Sequence, residues 1–178
     1  TQTTNVTVSI NDAASDNDFD GVADQTVSVT TTDDDVAGFT IAETEGSTSV
    51  TEAGGTDTFT VVLNAQPDSN VVLSIISSDT GEATVTGTVT FTPANWDTAQ
   101  TVTVTGADDD LVDGTVSSTT TISVVDAASD NNFDAVADQT VSVTTADDDV
   151  AGFTVAETEG STGVTEAGGT DTFTVVLN

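Results

Sequence analysis

The chain has 178 residues with 31 Asp and Glu side chains and no Lys, Arg or His, giving a formal net charge of −31 at pH 7. This charge would repel nucleic-acid phosphates, and the absence of Cys excludes disulfides and zinc–thiolate sites. No apolar run approaches the roughly 20 residues of a membrane-spanning helix, so membrane insertion of this segment is not expected.

Acids that lie close together here have no base in the chain to pair with. Two carboxylates about 4 Å apart repel by roughly 4 kcal/mol at an effective dielectric near 20. Runs of three aspartates would add several such terms. The cations must therefore come from outside, and an all-oxygen site is the kind that Ca²⁺ prefers.

The first acidic loop along the chain is Asp16-Asn17-Asp18-Phe19-Asp20-Gly21. Its alternating acids followed by Gly are typical of the opening of an EF-hand-type calcium loop, although the twelfth position is Val27 and not Glu. A related loop follows later, with Asp130 and Asp134 and with Ala135 in the Gly position. A plain Asx-rich hairpin turn is the alternative interpretation of both loops.

Period-2 alternation predicts strands along the middle of the chain, beginning with Phe59, Val61 and Leu63 on the inward side. Further strands are predicted at 70–76, 88–92, 101–105, 119–125 and 139–145, with turn residues between them. About seven short strands with this spacing predict an all-β, Ig-like antiparallel β-sandwich. In such a fold Trp96 is most simply a core residue. The outward Thr rows are most simply solvated sheet faces, with O-glycan attachment and ice binding as lesser alternatives.

Four groups of acids punctuate these strands. They are Glu52; Asp79 with Glu82; Asp108, Asp109, Asp110 and Asp113; and Asp147, Asp148 and Asp149. A sandwich places alternate loops at the same end, so these groups can converge and supply the six to eight oxygens that each Ca²⁺ takes. The alternative is a solvated acidic rim of a salt-adapted protein, which recurring triple-Asp runs do not favour.

The sequence also repeats itself, because residues 12–64 recur at 126–178 with five differences in 53 positions and an offset of 114. We therefore predict tandem sandwich repeats of about 114 residues. Residues 1–35 are expected to end one repeat, 36–149 to form a complete repeat and 150–178 to begin the next. We expect the chain to be a stretch of a much longer polymer of repeats.

The repeat resembles the Calx-β domain, which occurs in sodium–calcium exchangers and in long arrays of large bacterial extracellular proteins. The resemblance rests on VTEAGGTDTFTVVL, GTVTFTPANWDTAQTVTVTGADDDLVDG and SVTTADDD. It implies calcium ligands at Glu52, at Asp108, Asp109 and Asp113, and at Asp147, Asp148 and Asp149. The central acid is either Asp79 or Glu82. Asp33, Asp34 and Asp35 would belong to an upstream site and Glu166 to a downstream one, and Gly38–Gly46 would be a connector between domains.

Several calcium ions per repeat are therefore predicted. The candidate ligands are Asp16, Asp18, Asp20, Asp33, Asp34, Asp35, Glu52, Asp79, Glu82, Asp108, Asp109, Asp113, Asp130, Asp134, Asp147, Asp148 and Asp149.

These observations favour a structural role at the cell surface. The expected function is a calcium-stiffened extracellular rod or fibre, either an adhesin stalk or a matrix filament. Its expected partners are neighbouring repeats and laterally associated chains. A regulatory calcium sensor and a carbohydrate-binding module are the alternatives. An enzyme is not expected, because no His, Lys, Cys or Tyr is present to assist the acids.

Overall fold

A computed structural model of the protein describes residues 2–178. These residues belong to two compact units, of which one ends at Val36 and the other runs from Ala37 to Asn178. The first unit is a hairpin of β1 (Gln2–Val8) and β2 (Gln25–Thr31), which pair antiparallel. A 3₁₀ turn over Asn17–Phe19 lies between the two strands.

Nine strands of the second unit form two sheets. They are β3 (Phe39–Glu43), β4 (Thr48–Thr51), β5 (Thr56–Leu63), β6 (Val71–Ser77), β7 (Ala83–Val85), β8 (Thr88–Phe91), β9 (Gln100–Gly106), β10 (Val116–Val124) and β11 (Gln139–Ala146). One sheet has the order β4-β11-β10-β6-β8 and the other the order β3-β5-β9-β7. Neighbouring strands pair antiparallel, apart from the parallel pair β4 and β11. The predicted all-β, Ig-like sandwich is confirmed.

The core lies between the two sheets and consists of the inward residues that the alternation predicted. Phe59 and Val61 of β5 are fully buried, as are Phe91, Ile122 and Val143 of the other sheet. Each such side chain contributes about 1.5–3 kcal/mol by leaving water. Trp96 is half-buried and packs against this cluster, as the sequence indicated.

The interpretation of Gly38–Gly46 as a connector is wrong. Phe39–Glu43 is the edge strand β3 of the four-stranded sheet, where Phe39 pairs with Leu63 and is 3% exposed. The Gln139 side chain also donates to the Phe39 carbonyl oxygen at 2.7 Å, which ties β3 to β11 of the facing sheet. The segment belongs to the sandwich because its apolar residues complete the core.

The sequence repeat is matched by a repeat of structure. The strands β12 (Phe153–Glu157) and β13 (Phe173–Leu177) form an antiparallel hairpin. Its register, Phe153 opposite Leu177, is that of Phe39 opposite Leu63, displaced by the offset of the sequence repeat. The same residues differ in burial, because Phe59 is fully buried whereas its counterpart Phe173 is 56% exposed. The expected repeat boundaries at 35/36 and 149/150 stay predictions.

No helix among the described residues has both the length and the apolar character that crossing a bilayer would require.

The pair Phe59 and Phe173 allows a matched test of the core. Phe59→Ala should lower the free energy of unfolding by about 3–5 kcal/mol, because it empties a fully buried site. Phe173→Ala should cost roughly 0.5 kcal/mol, as expected of an exposed position. Urea unfolding of both variants in calcium measures the difference. Equal losses would contradict this assignment of the core.

Candidate metal centre

Four chain segments converge at one end of the sandwich, and Glu52 lies where they meet. Glu52 directly follows β4, and its backbone N–H donates to the Ala146 carbonyl oxygen at 3.1 Å. This bond continues the β4–β11 pairing and places Glu52 beside the aspartates that follow β11. Gly106 allows the close approach of β9, since a Cβ there would overlap the Thr51 carbonyl.

Glu82 comes from the turn between β6 and β7. Its carbonyl oxygen accepts from the Ala107 N–H at 2.8 Å, which fixes the turn against the end of β9. The Glu82 side chain is 7% exposed. Asp79, the other candidate for the central acid, is exposed, and its Oδ1 accepts from the Gly81 N–H at 3.0 Å. The structure therefore places Glu82 in the cluster and Asp79 beside it.

Asp147 organises the remaining two segments. Its Oδ2 accepts from the Gly114 N–H at 2.7 Å and its Oδ1 from the Asp149 N–H at 2.7 Å. Gly114 has φ +77°, a conformation that favours glycine, so the residue type at this position permits the link between the β9–β10 loop and the run after β11. These backbone hydrogen bonds lower the pKa of Asp147 and keep it ionised.

Two sets of three carboxylates result. One contains Glu52, Glu82 and Asp113, and the other contains Glu52, Asp109 and Asp149. In each set, one oxygen from each residue lies within 4.8 Å of the other two. All five acids were candidates from the sequence, and Glu52 belongs to both sets.

The buried oxygens of this cluster have no hydrogen-bond partner among the described residues. They are Glu52 Oε2, Glu82 Oε2 and Asp149 Oδ2. Glu52 is 1% exposed, so neither water nor a base of the chain compensates its charge. Burying a carboxylate in this way is costly unless a cation or a proton neutralises it.

The burial of these carboxylates also shifts their pKa values. Burial raises the pKa of Glu52 and of Glu82 above the ordinary 4.5, and Asp113, Asp109 and Asp147 raise both further by like-charge repulsion. Burial likewise raises the pKa of Asp149 above 3.8, with added repulsion from the aspartates around it. The site thus holds protons unusually well when no metal ion is present.

The donor set fits Ca²⁺. Carboxylate oxygens are hard ligands, the five acids surround more than one position, and neither His nor Cys is available for a softer metal. Asp108, Asp110 and Asp148 are exposed and line the rim of the cluster.

The other predicted ligands lie in different surroundings. In the first unit, Asp33 Oδ1 accepts from the Asp35 N–H at 3.2 Å, and Asp16 Oδ1 accepts from the Asp18 N–H at 3.0 Å. All residues of both groups, including Asp20 and Asp34, are exposed. Whether they bind metal stays a prediction.

Asp130 is a structural anchor in this fold. It is 5% exposed, and its carboxylate accepts from the backbone N–H groups of Asp68, Ser69 and Asn132 at 2.6, 2.9 and 2.9 Å. The hydrogen bond from Asn132, with those from the other amides, lowers the pKa of Asp130. This arrangement favours the Asx-turn alternative for the loop, in which Asp134 is exposed. No feature of the sequence indicated that Asp130 would accept hydrogen bonds from the distant 68–69 turn.

No protein family and no curated protein matches the sequence. Three similar solved structures are the E. coli chaperone DraB, domains 4 and 5 of the S-layer protein SbsC, and the apo form of the Calx CBD1 domain. Their identities are 9%, 25% and 16%, and their TM-scores are 0.46, 0.44 and 0.44. The matches cover 66%, 71% and 62% of this chain, and 59%, 54% and 98% of those chains. The matched region thus spans less than two thirds of the first two structures. At these TM-scores the function has to be argued from the site itself.

Acidification should stabilise the calcium-free protein. Since the pKa values of Glu52 and Glu82 are raised, the folded state binds more protons than the unfolded state at pH values above 4.5. The free energy of unfolding should therefore rise as the pH falls from neutrality through that window. Below about 3.8 it should fall again, because Asp147, whose pKa is lowered, then becomes protonated.

Urea unfolding in calcium-free buffer at a series of pH values measures this dependence. A free energy of unfolding that decreases steadily on acidification from neutrality would show that the buried glutamates are not strained by their charge.

Proposed function

We propose that the protein is a calcium-binding structural repeat of a long extracellular rod or filament. The observation that carries this proposal is the pair of unpartnered oxygens on Glu52 and Glu82, both buried, in a chain that has no basic side chain. An external cation compensates these charges, and Ca²⁺ is the ion that suits the donor set.

Two ion positions account for the geometry. Glu52 bridges them, with Glu82 and Asp113 completing one and Asp109 and Asp149 completing the other. The remaining oxygens of each coordination sphere come from rim aspartates, backbone carbonyls and water. The ions thus connect the segment after β4, the β6–β7 turn, the β9–β10 loop and the run after β11.

The place of the site in the chain supports a stiffening role. Asp149 is followed within a few residues by β12, the second copy of β3. Calcium bound here fixes the last residues of one copy just before the next copy begins. In a tandem array, this limits bending at every junction and makes a rod from a string of sandwiches.

The acidity of the chain fits an environment with abundant calcium. Weak sites with dissociation constants of about 10⁻⁴–10⁻³ M fill outside cells and stay empty in cytosol. At a fivefold excess of calcium each ion stabilises the folded state by about 1 kcal/mol. We therefore place the protein at the cell surface or outside the cell.

Calcium should raise the thermal stability of the chain. Two ions that contribute about 2 kcal/mol together should raise Tm by about 4–8 °C relative to chelator. Scanning calorimetry in CaCl₂, in MgCl₂ and in chelator measures the shift. Mg²⁺ should produce a much smaller shift, because it requires octahedral geometry and retains its waters. An equal Tm in calcium and chelator would overturn the proposed function.

The shared position of Glu52 makes a graded prediction. Glu52→Gln should remove most of the calcium-induced Tm shift, because it weakens both ion positions, whereas Glu82→Gln should remove about half of it, because it weakens one. In chelator both variants should melt above the wild type, since a buried like charge is gone.

Glu166→Gln is the matched control, because Glu166 is the counterpart of Glu52 in the second copy and is exposed. It should leave the calcium-induced shift unchanged. Isothermal titration calorimetry gives the ion count for each variant. A Glu52→Gln variant that still binds as many ions as the wild type would refute the role of Glu52 in both ion positions.

A further inference from the structure

The carboxylates of the sandwich are segregated from its broad faces. Among the nine strands β3–β11, acids occur at Glu43, the last residue of β3, and at Asp57, the second residue of β5. Neither is free of partners, since Glu43 Oε2 accepts from Thr48 Oγ1 at 3.1 Å, and Asp57 Oδ2 accepts from the Ser49 N–H at 2.9 Å. A chain with net charge −31 thus presents two uncharged sheet faces.

The outer face of the four-stranded sheet is a regular threonine surface. Its rows follow the strand register, with Thr60 opposite Thr101, Thr58 opposite Thr103, and Thr105 opposite Thr84. We call these six residues the threonine face. Their inward neighbours on β5 and β9 form the core, so the face is supported by a rigid, fully packed layer.

Several hydroxyls of this face are already bonded within the protein. Thr84 Oγ1 donates to the Thr105 carbonyl oxygen at 3.3 Å, Thr60 Oγ1 to that of Ala42 at 3.4 Å, and Thr58 pairs with Thr44 at 3.0 Å. Removing such hydroxyls from water costs less than removing unbonded ones, and each Thr also carries a methyl group. The face is therefore easier to dehydrate than its polar composition indicates.

Part of the same face is built a second time. In the hairpin of β12 and β13, Thr174 Oγ1 donates to the Ala156 carbonyl oxygen at 3.4 Å, and Thr158 pairs with Thr172 at 3.0 Å. Thr174 and Thr172 are the counterparts of Thr60 and Thr58, and they form the same bonds. The second copy of the sequence therefore repeats the β5 row of the threonine face.

We propose that the threonine face is the surface on which a second copy of this chain docks, face to face, in lateral association of filaments. The charge distribution favours a second copy of the chain as the partner. Two copies that approach through their loops bring carboxylates together, whereas two threonine faces meet without a charge on either side. A basic partner would bind the acidic ends instead, and a twofold contact needs only one self-complementary patch on each copy.

The size of the face predicts weak contacts that add along an array. The strands of this sheet are three to eight residues long at about 3.4 Å per residue and lie about 4.8 Å apart, so the face offers on the order of 400 Å² per partner. This lies below the roughly 800 Å² per partner of a stable interface, so one pair of faces associates weakly. Repeats in register would add their contacts and convert weak pairs into stable lateral binding. In this respect the inference rests on the proposed function, which supplies the tandem array.

Analytical ultracentrifugation of the full chain in calcium tests the proposal. The wild type should change reversibly from monomer to dimer as its concentration is raised, as expected of a weak, transient interface of this small size. Added salt should strengthen the dimer, because it screens the repulsion between acidic ends. Thr101→Asp and, as a second variant on the same face, Thr103→Asp should each abolish the dimer.

Thr119→Asp is the control, because it adds the same charge at an exposed position on the outer face of the five-stranded sheet. It should dimerise as the wild type does. Monomers at all concentrations, or equal loss of the dimer in Thr119→Asp and Thr101→Asp, would overturn the proposal.

The calcium-induced Tm shift of the same samples separates the two hypotheses. It should persist in Thr101→Asp, which also shows that this variant folds. If the dimer forms as expected and the Tm shift is absent, the calcium function fails and the docking face stands. If the Tm shift is present and the dimer does not form, the docking face is rejected and the calcium function stands.

Discussion

Repulsion between carboxylates that have no base in the chain is the constraint on which the rest of this structure depends. The fold meets it by confining acids to loops and strand ends and building the strands from Val, Thr and Phe. Core packing therefore proceeds without ion pairs. Any residual repulsion is concentrated where Glu52 and Glu82 are buried against the aspartates of two neighbouring segments.

That concentration gives the site its sensitivity to cations. A scattered set of surface acids would be screened by water and salt, and each would lose little on folding. Glu52 and Glu82 are buried, and one oxygen of each has no hydrogen-bond partner within residues 2–178, so their burial as charged groups destabilises the fold unless an ion or proton neutralises them. Stability is thereby linked to the medium, as expected of a protein that should become rigid only after it reaches calcium.

The same segregation makes the faces of the sandwich available for other roles. The Thr60 and Thr84 hydroxyls of the four-stranded sheet are bonded to strand carbonyls and that of Thr58 to Thr44, and no carboxylate of the sandwich strands interrupts the rows. Under the two proposals, the acidic ends serve junctions along an array and the neutral faces serve contacts between arrays. The parts of both features that lie within residues 12–64 recur at the repeat offset, since Glu52, Thr58 and Thr60 have counterparts at Glu166, Thr172 and Thr174.

The sequence by itself determined the strand positions at Phe59–Leu63 and at 139–145, because strict alternation leaves one pattern of inward residues. It also determined the repeat and the set of candidate acids, since charge and spacing can be read directly. Only the tertiary structure decided that Glu82 and not Asp79 enters the cluster, and that Asp130 serves backbone amides of a turn distant in sequence. It also placed Phe39 in an edge strand, although the resemblance to the Calx-β domain suggested a connector. The physical reason is that convergence depends on strand order and on the parallel pairing of β4 with β11, which arise from packing the whole core and leave no local mark on the chain.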